Sequence, residues 1–286
     1  MSHERTISLI ITTYNWPGAL KITLGSVLGQ TRLPEEIIVA DDGSGPETAH
    51  VVEGLLRPSR IRWSHVWHDD KGVRQSRIKN LAVKFSQSTY LIFIDHDTVL
   101  HPSFIADHAS LACEGSFLQG KRVLLPRGYT DRILDRESFK VPSLWLKGLR
   151  NRKNIFRSPL LGRLFTRPKR FQNSLRGCNL SLFKSDFCEV DGFDEIFDQS
   201  WGREDSDICY RLFHNGLFVR NLWFTAIQYH LHHNLIASWE RERLDSELKK
   251  NLQEKRLRAI KGFSKLASEG AIIAASDYDS REAPLV

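Results

Sequence analysis

The chain has 286 residues, 41% hydrophobic and 26% charged, which suffices for a large buried core and excludes wholesale disorder. Its formal charge of +7 is unevenly placed, because residues 139–185 hold twelve Lys or Arg and no Asp or Glu. The remainder has 29 basic and 34 acidic residues, a net of −5, and this argues against a nucleic-acid binder with cations spread over its surface.

Ile7–Ile11 is a β-branched run ending at Thr12-Thr13 and reads as a strand. Pro17 suits the first residue of a helix running to about Gln30. Glu36–Ala40 is a second strand, stopped by the turn signal Asp41-Asp42-Gly43-Ser44. A helix to about Leu56 follows, then a third strand at Ile61–Trp67. Gly72–Ser86 spaces Val73, Ile78, Leu81, Ala82 and Phe85 as one helix face. Tyr90–Ile94 is apolar on both faces, as suits the buried centre of a parallel sheet. The strand–helix rhythm predicts an α/β chain with a doubly wound first half. Ligands of such sheets sit at the carboxyl ends of the strands, here Thr12–Asn15, Asp41–Ser44 and Asp95–Asp97.

Pro102–Ala112 predicts a helix and Lys121–Leu125 a short strand. The basic stretch then breaks the rhythm with Pro142, Pro159 and Pro168. Regular structure resumes at Ser174–Phe183, with a helix at Glu204–Asn215 and a strand at Leu217–Phe224. Ser238 to about Leu266 predicts a long charged helix, and the last twenty residues a polar, frayed tail. There are no internal repeats.

Cys113, Cys178, Cys188 and Cys209 form no CxxC pair and are expected reduced and mostly buried, which favours a cytosolic location. Met1–Thr6 lacks the apolar stretch of a signal peptide. Near the middle the longest aliphatic and aromatic run, Tyr90–Ile94, is too short to cross a bilayer. The expectation is a cytoplasmic protein, not integral to a membrane but free to sit on its inner face.

Asp95-His96-Asp97 spaces two carboxylates to project to one side of an extended chain. Such a pair suits a divalent cation with oxygen ligands; the alternative is a solvated loop of helix-capping acids. Asp41-Asp42-Gly-Ser taken alone is an Asx turn. Trp201-Gly-Arg-Glu204-Asp205-Ser-Asp207 opens a predicted helix with three acids. They fit either a general base with a substrate-holding neighbour or a favourable charge at the positive helix end. Tyr229-His230-Leu-His232-His233 offers imidazole ligands, or a structural histidine cluster.

Together these residues resemble glycosyltransferase family 2. The first half carries Thr12-Thr-Tyr-Asn, Asp41-Asp-Gly-Ser, Gly72-Val-Arg with Arg77 to Asn80, and Asp95-x-Asp97. The second carries Gly177-Cys-Asn179-Leu-Ser181 and Trp201-Gly-Arg-Glu-Asp205. The set is most similar to the chondroitin-polymerase-like branch, and its Trp-Gly-x-Glu-Asp piece to β-1,4-galactosyltransferases. It runs from about Ile7 to His233.

The resemblance implies a GT-A fold over residues 1–267, with a nucleotide-sugar half (1–125) and an acceptor half (174–233). Between them the basic insert (139–185) leads into the acceptor half; the helix at 238–266 and the tail at 268–286 follow. It also implies transfer of a hexose or N-acetylhexosamine, with inversion, from a nucleotide sugar such as a UDP-sugar. Thr12 and Tyr14 would flank the nucleoside, Asp42 would hold the uracil edge, and Asp95 would touch the ribose or the donor sugar. Asn15, Arg74, Arg77 and Asn179 would complete the nucleotide-sugar set. Asp97 would bind Mn²⁺ or Mg²⁺ with His230, and His233 in reserve. Asp205 would be the general base, with Glu204 and Trp201 at the acceptor. Two features depart from the family pattern: His96 stands where related sequences often carry a small residue such as glycine, and the basic stretch has no counterpart in the common core.

In that stretch Arg150, Arg152, Lys153, Arg157, Arg163, Arg167, Lys169 and Arg170 interleave with Leu144, Trp145, Leu146, Ile155, Phe156, Leu160, Leu161, Leu164 and Phe165. This fits a segment lying on an anionic membrane, close to a lipid-linked acceptor such as a growing cell-surface glycan or lipopolysaccharide. A solvated loop is the alternative. Two other functions compete with glycosyl transfer. A nucleotidyltransferase would want a Gly-rich phosphate loop where Thr-Thr-Tyr-Asn stands. A non-catalytic membrane-binding protein would not need carboxylates at both sites.

Overall fold

The computed structural model describes residues 5–173, 175–234, 239–266 and 271–276. Its first half is β1 (Ile7–Thr13), α1 (Pro17–Leu28), β2 (Glu36–Asp41), α2 (Pro46–Leu56), β3 (Arg62–Trp67), α3 (Gln75–Phe85) and β4 (Tyr90–Asp95). Then come β5 (Thr98–Leu100), α4 (Phe104–Leu111), β6 (Ser116–Gln119), β7 (Arg122–Leu124) and α5 (Arg127–Arg136). The insert holds α6 (Pro159–Phe165) and β8 (Pro168–Lys169). The second half is β9 (Asn179–Phe183), α7 (Lys184–Glu189), α8 (Glu204–His214), β10 (Phe218–Asn221), β11 (Gln228–His230), α9 (Arg241–Glu254) and β12 (Ala271–Ala275).

Nine strands form one mixed sheet in the order β12-β3-β2-β1-β4-β9-β6-β10-β8. Strands β3, β2, β1 and β4 run parallel, so their carboxyl ends share one edge. The side chains of β1 and β4 are buried on both faces, which explains their uninterrupted apolar runs. A second sheet, β5-β11-β7, closes over that edge and carries His230 at the end of β11.

Several expectations change. The DxD motif is not extended: Asp95 ends β4, and the chain turns at His96-Asp97 before β5. Thr98 Oγ1 donates to the Asp95 carbonyl, and Thr23 of α1 to the His96 carbonyl, pinning this turn. The charged helix stops at Glu254, where Lys255 enters the left-handed region at φ 50°. Ser238, its expected start, lies outside the described residues. Within the expected frayed tail, Ala271–Ala275 pairs antiparallel with β3 as the sheet's edge; residues 277–286 lie outside the described residues. All four cysteines are free, but only Cys209 is buried, and Cys113 is exposed. Among the described residues no helix is long and apolar enough to cross a membrane.

The basic insert is built onto the body rather than loose. Arg157 grips Asp107 of α4 with two hydrogen bonds of 2.6 and 2.9 Å, and Leu149 is buried. Phe171 stacks on Tyr210 of α8 with ring centroids 5.6 Å apart. Its outer side exposes Leu144, Trp145, Phe156, Leu160, Leu164 and Phe165, with Trp145 89% exposed.

Candidate functional site

The strand ends and the start of α8 enclose one cleft of about 580 Å³. Thr12 and Tyr14 reach it from β1, Asp42 from β2, and Asp95, His96 and Asp97 from the turn after β4. Trp201, Glu204 and Asp205 face them from the second half, and His230 and His233 from β11 and the segment beyond it. Gln75, Trp16 and Arg122 also line the cleft, and reasoning from sequence missed all three.

Asp41 and Asp42 divide the two readings of their turn. Asp41 is the Asx cap: its Oδ1 accepts from Ser44 N–H at 2.8 Å, and buried His65 holds its Oδ2 at 2.8 Å. Asp42 faces the cleft and is held twice. His68 Nε2 lies 2.7 Å from its Oδ1, and Arg74 N–H donates to its Oδ2 at 3.0 Å. Gly43 makes this possible. At φ 94° a Cβ there would stand 2.6 Å from the Asp70 backbone, so no side chain fits.

Asp97 is 7% exposed and meets two imidazoles. Nε2 of His230 and Nε2 of His233 each lie 3.1 Å from its Oδ2. All three donor groups fall within 4.8 Å of one another. Burial opposes the ionised form, but hydrogen bonds from His230 and His233 outweigh it and hold the carboxyl well below the usual range. Its Oδ1 is buried without a hydrogen-bond partner. One carboxylate and two imidazoles, with a carboxylate oxygen to spare, fit a divalent transition ion. Trp16 sets its edge against both His96 and His233, with centroids 6.0 and 6.2 Å away. Asp95 behaves oppositely: burial and the charge of Asp97 raise its pKa.

At the other end, Gly202 and Arg203 both take positive φ, 101° and 80°. For arginine that backbone is uncommon and costs free energy. The turn aims the first residues of α8 into the cleft. Asp205 Oδ2 accepts from Gly177 N–H at 2.9 Å, and its Oδ1 from Ser206 N–H at 2.6 Å. A Cβ on Gly177 would stand 3.0 Å from Asp205 Cβ. Burial and the charge of Glu204 push the Asp205 carboxyl up to about 6, against these hydrogen bonds. Asp207, the third acid, turns inward to Arg211 at 2.6 Å and is structural. Glu204 Oε1 accepts from Lys79 Nζ at 3.1 Å; Lys79 is a buried lysine of α3.

Four expected donor residues do not line the cleft. Arg77 is turned away, 3.6 Å from Glu195. The Arg74 side chain donates to the Asp69 carbonyl, and only its backbone N–H serves Asp42. Asn15 stitches loops together, since its Oδ1 accepts from Gly45 N–H at 3.0 Å. Asn179 is a buried clamp between the His108 ring and the Ala226 carbonyl. The cleft's lining arginine is instead Arg122, whose Nε is buried without a hydrogen-bond partner.

Residues 8–166 match the family profile described as glycosyl transferase family 2, and residues 162–234 that of the N-terminal domain of galactosyltransferase. Similar curated proteins include validoxylamine A glucosyltransferase of Streptomyces hygroscopicus subsp. limoneus, 29% identical over 76% of this chain and 49% of its own length. Another is the chondroitin synthase of Escherichia coli, 26% identical over 78% of this chain and 34% of its own length. The chain thus spans about half or less of these relatives. Among solved structures, S. aureus TarS 1–349 in complex with UDP matches with a TM-score of 0.60 at 16% identity, covering 91% of this chain and 68% of that one. The same fragment in complex with UDP-GlcNAc matches with a TM-score of 0.53 at 18% identity, covering 81% of this chain and 60% of that one. The fold is the GT-A arrangement expected from the sequence.

Proposed function

The chain belongs to glycosyltransferase family 2, and from that premise we propose that it transfers a hexose or N-acetylhexosamine, with inversion, from a UDP-sugar to a hydroxyl of a glycan or lipid-linked acceptor. One observation carries the reading: a single cleft joins the strand-end donors, the Asp97–His230–His233 cluster and Asp205. Thr12, Tyr14 and Asp42 lie where a nucleoside would sit at the strand ends. Asp42, already fixed by His68 and Arg74 N–H, keeps acceptor capacity for a uracil N–H. Asp95, opposite Thr12 in the β1–β4 register and lining the same cleft, is available to the ribose or the sugar. Asp97, His230 and His233 would hold Mn²⁺ or Mg²⁺, which as a Lewis acid neutralises the departing diphosphate. Arg122, lining the same cleft, adds positive charge there, the task first expected of Arg74 and Arg77.

Asp205 takes the proton of the acceptor hydroxyl. A base whose pKa lies near the working pH combines the ionised state with driving force for proton transfer. Glu204 and Trp201 hold the acceptor. A single displacement inverts the anomeric carbon without a covalent enzyme intermediate.

The basic insert supports docking on an anionic membrane, where lipid-linked acceptors are found. Phe156 and Phe165 gather on Phe224 with ring centroids 6.1 and 5.8 Å away, and Lys121 Nζ sits 3.8 Å from the Trp223 ring centroid. Each cation near such a surface contributes about 1 kcal/mol.

Incubation with Mn²⁺, a panel of nucleotide sugars and glycan acceptors tests the reading. Acceptor-dependent release of UDP is expected. Release of a different nucleotide would reassign the donor, and release of pyrophosphate would point to nucleotidyl transfer.

A further inference from the structure

We propose that Lys79 is a positioning residue that holds the Glu204–Asp205 pair in place and supplies its counter-charge during transfer; the inference rests on Asp205 being the base. Lys79 is 4% exposed, on the face of α3 that packs against the second half. Its Nζ donates to Glu204 Oε1 at 3.1 Å and to Gln75 Oε1 at 3.4 Å, and lies 5.0 Å from the centroid of the Phe193 ring. A buried ammonium is costly unless paired. Here burial opposes the charge, but Glu204 and Asp95 outweigh it and the lysine pKa is raised. It therefore stays protonated across the neutral range.

This makes Lys79 a fixed cation between the acids of the two halves. Asp95 ends β4 on the donor side, and Glu204 and Asp205 open α8 on the acceptor side. Its neighbours on α3 act as rivets to the same second-half segment. Asn80 Nδ2 donates to the Phe193 carbonyl at 2.8 Å, and its Oδ1 accepts from Phe193 N–H at 2.9 Å. Besides Lys79, the groups around Asp205 among the described residues include Glu204 beside it, Arg203 two residues before it, Arg122 in the same cleft, Cys178 before β9, and Cys209 and Tyr210 one turn along α8. Of these, Lys79 is the buried cation hydrogen-bonded to Glu204, and its charge favours the ionised base.

The test compares K79M and K79R by kcat, KM and the pH dependence of kcat, alongside UDP affinity with Mn²⁺. K79M is expected to lower kcat at least tenfold and move the acid limb to higher pH by half a unit or more. Its UDP affinity should stay within about threefold, and K79R should restore both kcat and the limb. If K79M does not fold, K79Q keeps a hydrogen bond to Glu204 without the charge and carries the same expectation. An unmoved limb at unchanged kcat would overturn the proposal. So would a loss confined to UDP affinity, which would assign the lysine to the donor diphosphate. Asp205→Asn separates the two readings: if it still transfers, the base assignment falls first, whereas an inactive Asp205→Asn with an unmoved K79M limb removes the lysine assignment alone.

Discussion

The two ends of the cleft use the same residue type in opposite electrostatic states. Asp97 is buried yet held well below the usual carboxylate range, because His230 and His233 donate to it. Asp205 is pushed up to about 6 by burial and by Glu204, with Lys79 and two backbone N–H groups pulling back. A carboxylate kept ionised at all working pH values suits a cation. One that titrates near neutrality suits proton transfer. Pairs of acids whose environments drive them apart are a general sign of divided labour.

The division can be broken one end at a time. Asp205→Asn should leave UDP affinity unchanged and lower transfer by roughly 10²–10⁴-fold, the span of general-base effects. Asp97→Ala should lower transfer by about 10²-fold or more and remove its dependence on added Mn²⁺, since the ion's charge stabilisation amounts to several kcal/mol. EDTA should lower transfer by the parent protein to a similar extent, and excess Mn²⁺ should restore it.

The pH profile comes next in size. The Asp205 pKa is raised above its ordinary value, and the base must be ionised to work. Activity should therefore be full above about pH 7 and fall about tenfold per unit below pH 6. Protonation relieves the cost of burying that charge, so the melting temperature should not fall in step with the rate. A parallel fall would trace the loss to unfolding instead.

Smaller effects sharpen the donor end and the insert. His68→Ala frees one oxygen of Asp42 and should raise the donor KM about tenfold, the effect of losing one charged hydrogen bond. Trp145→Ala with Leu160→Ala should weaken cosedimentation with anionic liposomes severalfold, while transfer to a water-soluble acceptor stays within twofold. Equal cosedimentation would mark the insert as a structural brace, which its grip on Asp107 already makes it in part.

The parallel half was legible because its signals are local. β1, β2 and β4 are apolar runs that stop at polar clusters, and each cluster reaches the cleft. What stayed hidden depends on contacts distant in sequence. Arg77 to Asn80 reads as a piece of the donor-half motif, but the second half claims it, with Lys79 on Glu204, Asn80 on Phe193 and Arg77 near Glu195. Asn179 enters the nucleotide-sugar set only through the family resemblance, and α4 brings His108 against it. α9 ends at Lys255 without the Gly or Pro that marks a stop. The strand at Ala271–Ala275 did leave a signal, the unbroken apolar run Ala-Ile-Ile-Ala-Ala inside a polar tail.

The central claim is that the two ends do separate work, and calorimetric titration of UDP with and without Mn²⁺ tests it most directly. Mn²⁺ should tighten UDP binding at least tenfold in the parent protein and equally in Asp205→Asn, and have no such effect in Asp97→Ala. Mn²⁺-dependent UDP binding that survives in Asp97→Ala, or disappears in Asp205→Asn, would contradict it.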